Sequence, residues 1–288
     1  MLSISSYIEN EFVMAILTSL LVLVGCAQIM MLFSQKRQNQ LALLQEYRTR
    51  WTEYRKHWAV LAFLGRAEGE FYQVANRALQ IELTKAVNKT TRYGPTVWAL
   101  ESVSYICNTL SDICIKILQG QLSIQDVYPL FGTDLLRHSR PLRVLLDVYF
   151  DTYYSASEGE DLKNLTKHNQ VRNELQTWLM YHDGVRRRCL ILIDLLWAEA
   201  ARLEDLSPND ILSGAIAKQD SGKKSRARLV REIRKINILP SPFKIIKFII
   251  HLKKSEFRKF RLPLGVDKTK LKAKEEEWDS MLLHRYKK

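Results

Sequence analysis

The chain has 288 residues, 47% of them hydrophobic and 26% charged. That is the balance of a folded protein rather than a disordered one, and the length suits a membrane segment plus one or two domains. Eleven Gly and seven Pro leave little turn chemistry, which disfavours a sandwich or barrel of many short strands. The net charge of +13 is concentrated: Lys218 to Lys274 hold 19 Lys/Arg against four acids, a net of +15, so the rest of the chain is close to neutral.

In chain order, the first predicted element is a membrane span. Phe12 to Phe33 is 22 residues without a charge. At about 1.5 Å per residue this covers the ~30 Å hydrocarbon core of a bilayer. A cleaved signal peptide is disfavoured. Glu9 and Glu11 stand where Lys or Arg belong, the apolar run is too long, and Ser34-Gln35-Lys36-Arg37 follows it instead of a small-residue cleavage site. Lys36, Arg37, Arg48 and Arg50 lie after the span, so the positive-inside rule puts the C-terminal part in the cytoplasm and the N-terminus outside. Within the span Thr18, Leu21, Gly25, Gln28 and Leu32 recur at alternating spacings of three and four and share one face. Small and hydroxyl residues allow close approach of helices, and Gln bonds across them. This face is the expected oligomer or pore seam; a tolerated stripe in a lone anchor is the plainer alternative.

The helical pattern continues past the membrane. Leu44, Tyr47, Trp51, Tyr54, Trp58 and Leu61 form a heptad-like seam in a stalk helix predicted to run nearly unbroken to residue 64. Aromatics in place of Leu and Ile make packing on the protein's own domain as plausible as a coiled coil. Arg48, Arg50, Arg55, Lys56 and Arg66 form the opposite, solvated face.

Further amphipathic helices are predicted over Phe71–Val87, ended by Arg92-Tyr93-Gly94-Pro95, and over Thr96–Leu118, closed by Gly120. Ser123-Ile124-Gln125-Asp126 opens a short helix that Phe131-Gly132 ends. A fourth helix is expected over 133–155 and a polar loop over Ser155–Lys163. Asn169–Leu206 then gives one or two helices broken near His182-Asp183-Gly184, with Leu190, Leu192, Ile193, Leu196 and Trp197 in the core. Asp194 and Glu199 interrupt this apolar run and are expected to pair with arginines. His138 with Arg137, Arg140 and Arg143, and Arg186-Arg187-Arg188, are candidate anion pockets, although a solvated surface is the commoner role of such clusters.

The stretch from Gln119 to Gly132 (QGQLSIQDVYPLFG), with Leu135-Leu136 and Pro141-Leu142 after it, resembles a recurrent pattern in uncharacterised bacterial membrane-anchored helical proteins. The likeness covers about residues 12–200 and leaves out the basic tail. It implies a single N-terminal span in the bacterial inner membrane, a juxtamembrane helix and a small helical bundle. Some of those proteins sit beside phage-defence genes, where membrane effectors depolarise or permeabilise the cell. No catalytic residue comes with the pattern.

The basic quarter opens with a linker at Asp220–Ser225, followed by a basic helix over Ala227–Ile236 that Pro240-Ser241-Pro242 breaks. Phe243 to Phe260 (FKIIKFIIHLKKSEFRKF) then sets Phe243, Ile246, Ile249, Ile250, Phe257 and Phe260 against a row of cations. The expected anion or membrane-surface residues are Lys223, Lys224, Arg226, Arg228, Arg231, Arg234, Lys244, Lys247, Lys253, Lys254, Arg258, Lys259 and Arg261. Such a helix suits a membrane interface, a polyanion such as nucleic acid, or packing on the domain with its cations outward.

Cys26, Cys107, Cys114 and Cys189 form no CxxC pair, so neither a disulfide framework nor a metal site is expected. No GxGxxG, P-loop or GxSxG motif occurs, and neither a cofactor nor enzyme activity is expected. The expected architecture is all-α. It comprises a short extracytoplasmic N-terminus (1–11), a transmembrane helix (12–34), a juxtamembrane stalk (35–66), a cytoplasmic helical bundle (67–212) and a basic C-terminal region (213–288). The function expected is that of an oligomeric membrane effector or ion channel gated by a ligand or partner on the basic domain. A membrane-tethered module for nucleic acid or another polyanion, and a scaffold that recruits a protein partner, are the alternatives.

Overall fold

The structure is a computed structural model. It describes residues 2–65, 77–89, 97–137, 139–147, 162–203, 205–207, 210, 222–236, 242–253, 269, 272–277 and 279–280. Among these residues the chain is almost entirely helical and holds no strand. It divides into two compact units, Met1–Tyr47 and Arg48–Lys288.

The first unit belongs to helix α1 (Leu2–Glu53), whose N-terminal part lacks any charge from Phe12 to Phe33. The helix persists because this run contains no Pro and a single Gly, and Leu, Met and Ala are strong helix formers. It is the one helix among the described residues that is long and apolar enough to cross a membrane, and none of its apolar window is buried. Leu21 is 74% exposed and Met30 72%. Leu44 and Tyr47, near the end of this unit, are buried.

The second unit is built on two helices that are apolar almost all round, the pattern of interior helices. In α2 (Arg55–Gly65), residues Trp58 to Ala62 and Leu64 are buried. In α9 (Asp183–Leu203), Cys189 to Ala201 are buried without interruption. Helices α3 (Arg77–Lys89), α4 (Val97–Leu118), α7 (Ser139–Leu146) and α8 (Leu162–Tyr181) surround them. Helix α4 lies along α9 and α2, α7 against α2, and α8 against α3, α7 and α9. Helices α10 (Gly222–Ile236) and α11 (Pro242–Lys253) pack on each other and on α9.

Local signals placed several boundaries well. Gly120 closes α4 with φ 74°, a conformation Gly adopts freely. Ser123 caps α5 (Ile124–Val127) by accepting a bond from the Asp126 amide at 3.3 Å. Helix α8 ends at Tyr181, and α9 restarts at Asp183 after a turn at His182. The stalk helix is continuous to Glu53 and re-forms at Arg55, interrupted only by a turn at Tyr54.

Four expectations change. Phe131-Gly132 does not end the short helix: a π-helical turn (Tyr128–Gly132) carries it into α6 (Thr133–Arg137). Gly132 serves this turn because a Cβ there would overlap the Tyr128 ring. Of the helix expected over 133–155, α6 and α7 are described, and α7 ends at Leu146, before a non-helical Asp147. Ser139 bonds the Leu136 carbonyl at 2.7 Å, and Pro141 sits in the first turn of α7, where no amide donor is needed. The linker expected at Asp220–Ser225 is helical from Gly222 onward. The loop expected over Ser155–Lys163 ends earlier, because Leu162 and Lys163 already belong to α8; its residues 155–161, the expected helix start at Phe71 and the turn at 92–95 lie outside the described residues.

Candidate functional site

In the apolar part of α1, Thr18 Oγ1 donates to the Met14 carbonyl and Ser19 Oγ to the Ala15 carbonyl, each at 2.8 Å. These hydroxyls are satisfied along their own helix. Leu21 and Leu32 are exposed, and a Cβ on Gly25 would meet nothing within 4 Å. Gln28 is exposed, and its amide has no hydrogen-bond partner among the described residues. Thr18, Leu21, Gly25 and Gln28 thus share one face that nothing in the first unit covers.

From Trp51 onward, the stalk seam packs within the second unit. Trp51 stacks on Phe131 with centroids 4.9 Å apart and meets Trp58 edge-on at 5.3 Å. Tyr54, Trp58 and Leu61 are buried. Tyr54 Oη and Thr109 Oγ1 are 2.8 Å apart, and His57 Nδ1 lies 2.9 Å from Ser102 Oγ. Burial pushes the Tyr54 phenol up to about 12. An open groove of about 450 Å³ beside this seam is lined by residues including Arg50, Glu101, Tyr105 and Asp112. Ser102 and Thr109 are polar contacts that sequence reasoning missed. The available signal was two hydroxyls seven residues apart on the same side of α4 as Val103, Ile106 and Leu110, since hydroxyls among apolar neighbours need partners.

The triple arginine of α9 is not an open anion pocket, because carboxylates already occupy it. Arg186 donates through Nε and Nη2 to the single oxygen Asp183 Oδ1 (2.9 and 2.7 Å) and through Nη1 to the Leu146 carbonyl. Arg187 pairs with Asp183 and, at 3.0 Å, with Glu232 of α10. Arg188 reaches Glu232 at 3.2 Å and Ser111 Oγ at 2.7 Å. Arg143 is a buried partner of Asp194 at 3.1 Å, as the interrupted apolar run foreshadowed. Glu199 instead pairs locally with Arg202 at 2.5 Å. His138 and the side chains of Arg137 and Arg140 lie outside the described residues. Cys107, Cys114 and Cys189 are buried and free, and burial pushes the Cys114 and Cys189 thiols well up, so both stay protonated and unreactive at neutral pH.

The basic region divides into an inner and an outer face. Leu229, Glu232 and Ile233 of α10, with Phe248 and Leu252 of α11, are buried. Arg228, Arg231, Arg234 and Lys247 are exposed and Arg226 is half-buried. Helices α10 and α11 also contain Lys223, Lys224, Lys244 and Lys253, whose side chains lie outside the described residues, as do Lys254, Arg258, Lys259, Arg261, Phe257 and Phe260. The apolar set is divided between the two faces: Phe243 is 79% and Ile246 53% exposed, and Ile249 and Ile250 are half-buried. The register of α11 on α9 is set by Phe248 and Leu252, which leaves Phe243 and Ile246 on the outside. No group of three or more His, Cys, Asp or Glu able to hold a metal occurs among the described residues.

The class this fold defines is an almost entirely helical chain with one long apolar N-terminal helix. Compared with known proteins, it matches no family model, no curated protein and no solved structure.

Proposed function

We propose that this is a single-span membrane protein that works as a homo-oligomer. In this reading residues 12–34 cross a bacterial inner membrane and 35–66 form the juxtamembrane helix. The helical unit lies in the cytoplasm, where a ligand or partner on its basic surface sets the state of an effector or ion channel of the phage-defence type. The observation that carries the reading is the α1 face of Thr18, Leu21, Gly25 and Gln28. It sits in an apolar window with none of its surface buried, and it holds a Gln amide without a partner among the described residues. An apolar surface of this extent must be covered by lipid or by other copies. A Gln in hydrocarbon is costly until it bonds, and an equivalent Gln on a neighbouring helix is the nearest donor and acceptor.

The test is the native mass of the detergent-solubilised full chain by light scattering, alongside membrane permeability in cells expressing it. A discrete oligomer, with permeabilisation abolished by Thr18→Leu and Gln28→Leu, is expected. A monomer, or permeabilisation unchanged in both variants, overturns the reading.

A further inference from the structure

We infer that the outer face of α10 and α11 is a docking surface for anionic lipid headgroups, so that the ligand of the basic unit is the membrane itself. The inference rests on the membrane anchoring proposed above and names what meets the basic surface.

Both helices turn one face toward α9, through Leu229, Glu232 and Ile233 on α10 and Phe248 and Leu252 on α11. Their opposite faces therefore look away from the core on the same side. That outer side carries Arg228, Arg231, Arg234 and Lys235 on α10 and Lys247 on α11, all exposed. No carboxylate among the described residues pairs with them. The only acid in α10, Glu232, is turned inward and held by Arg187 and Arg188, and α11 contains none. The cations are thus uncompensated on their own helices and complementary to an anionic surface.

The pairing of Phe243 with the aliphatic Ile246 favours lipid over nucleic acid. Both stand exposed beside Lys247, surplus to a packing register that Phe248 and Leu252 already satisfy. Phe243 is the one exposed aromatic of α10 and α11 among the described residues, and the branched aliphatic Ile246 beside it offers a base nothing to stack on, so these helices present no row of stacking rings. Apolar side chains flanked by cations are what the headgroup–acyl boundary of an anionic leaflet accepts. A chain anchored in a bilayer also meets such headgroups at high local concentration.

The experiment uses the full chain with Cys26→Ala and Phe243→Cys, labelled at 243 with an environment-sensitive fluorophore. The labelled chain is reconstituted into vesicles of phosphatidylcholine alone or with one third phosphatidylglycerol. Blue-shifted emission, quenched by a bilayer-embedded quencher only in the anionic vesicles and reversed by high salt, is expected. Arg228→Gln/Arg231→Gln/Lys247→Gln should weaken docking on the order of 100-fold, at about five-fold per lost cation. Arg228→Lys/Arg231→Lys should keep it. A label that stays in water in both compositions overturns the inference, as does an equal shift in neutral vesicles. A label that responds to single-stranded RNA and not to lipid overturns it too. Alkaline extraction reads the anchor separately. Chain that resists extraction with its label in water overturns docking alone, whereas chain that is extracted overturns the anchor and the inference with it.

Discussion

Tyr54 occupies the one turn between α1 and α2, and its contacts show how a polar aromatic is accommodated in a core. Its amide bonds the Arg50 carbonyl at 3.1 Å and its own carbonyl accepts from Trp58 at 2.9 Å, so the helical path hardly breaks. Its hydroxyl finds Thr109, and its ring meets Tyr105 edge-on at 4.5 Å. Burial raises the phenol from 10.0 to about 12, so the folded state holds the proton more tightly than the unfolded state. The stability this provides is complete below pH 10 and is lost as pH climbs toward 12. Thermal unfolding followed from about pH 8 to about pH 11 should show a declining midpoint, and Tyr54→Phe should make that decline shallower. A residual slope should remain, because burial also raises the Cys114 and Cys189 thiols and the Tyr128 phenol. At neutral pH the same variant should cost about 1 kcal/mol through the lost Thr109 bond. The seam position of Tyr54 was legible from spacing alone. Thr109 was not, because its partner lies 55 residues away and only the fold unites them.

Among the elements, α9 is the helix the rest of the second unit is organised around, and its polar interruptions are the informative part. An Asp at position 194 inside Leu192-Ile193 and Leu195-Leu196 had to find a cation, and the expectation of an arginine partner could be read from the sequence. Which arginine could not: Arg143 lies on α7, brought to α9 by tertiary packing, with side chains only 4% and 3% exposed. Removing one member of a buried pair strands the other. Asp194→Leu should therefore destabilise the chain by about 3–5 kcal/mol, and Arg143→Met by a comparable amount. The double variant should lose much less than the sum, because no uncompensated charge remains. A double-mutant cycle on thermal unfolding measures this directly, and strict additivity would show that the pair is not coupled. The same dependence on partners explains what was not legible at element scale. The π-helical turn at Tyr128–Gly132 follows from the Tyr128 ring lying over Gly132, and the outward Phe243 and Ile246 follow from the register of α11 on α9. Neither is encoded in the periodicity of its own segment.

At the scale of the whole molecule, the apolar run of α1 was the most legible feature, since hydropathy over 22 residues is a property of composition and needs no partner to be read. Gly25 offers a clean test of what covers that surface. A side chain at Gly25 meets no atom within 4 Å in its own chain, so Gly25→Leu costs the isolated helix nothing and improves its propensity by roughly 1 kcal/mol. Any loss of assembly must then come from contacts between chains. If Thr18, Gly25 and Gln28 form the seam, Leu at 25 holds neighbouring helices apart and separates the Gln28 amides, so the native mass should fall to that of a monomer. Gly25→Ala, which adds a single methyl group, should retain most of the oligomer. Leu23 is 69% exposed but sits about 200° around the helix from Gly25 by the 3.6-residue repeat, so Leu23→Ala should leave the mass unchanged. An oligomer that survives Gly25→Leu but dissociates on Leu23→Ala would move the seam to the opposite face of α1 and with it the position of any pore.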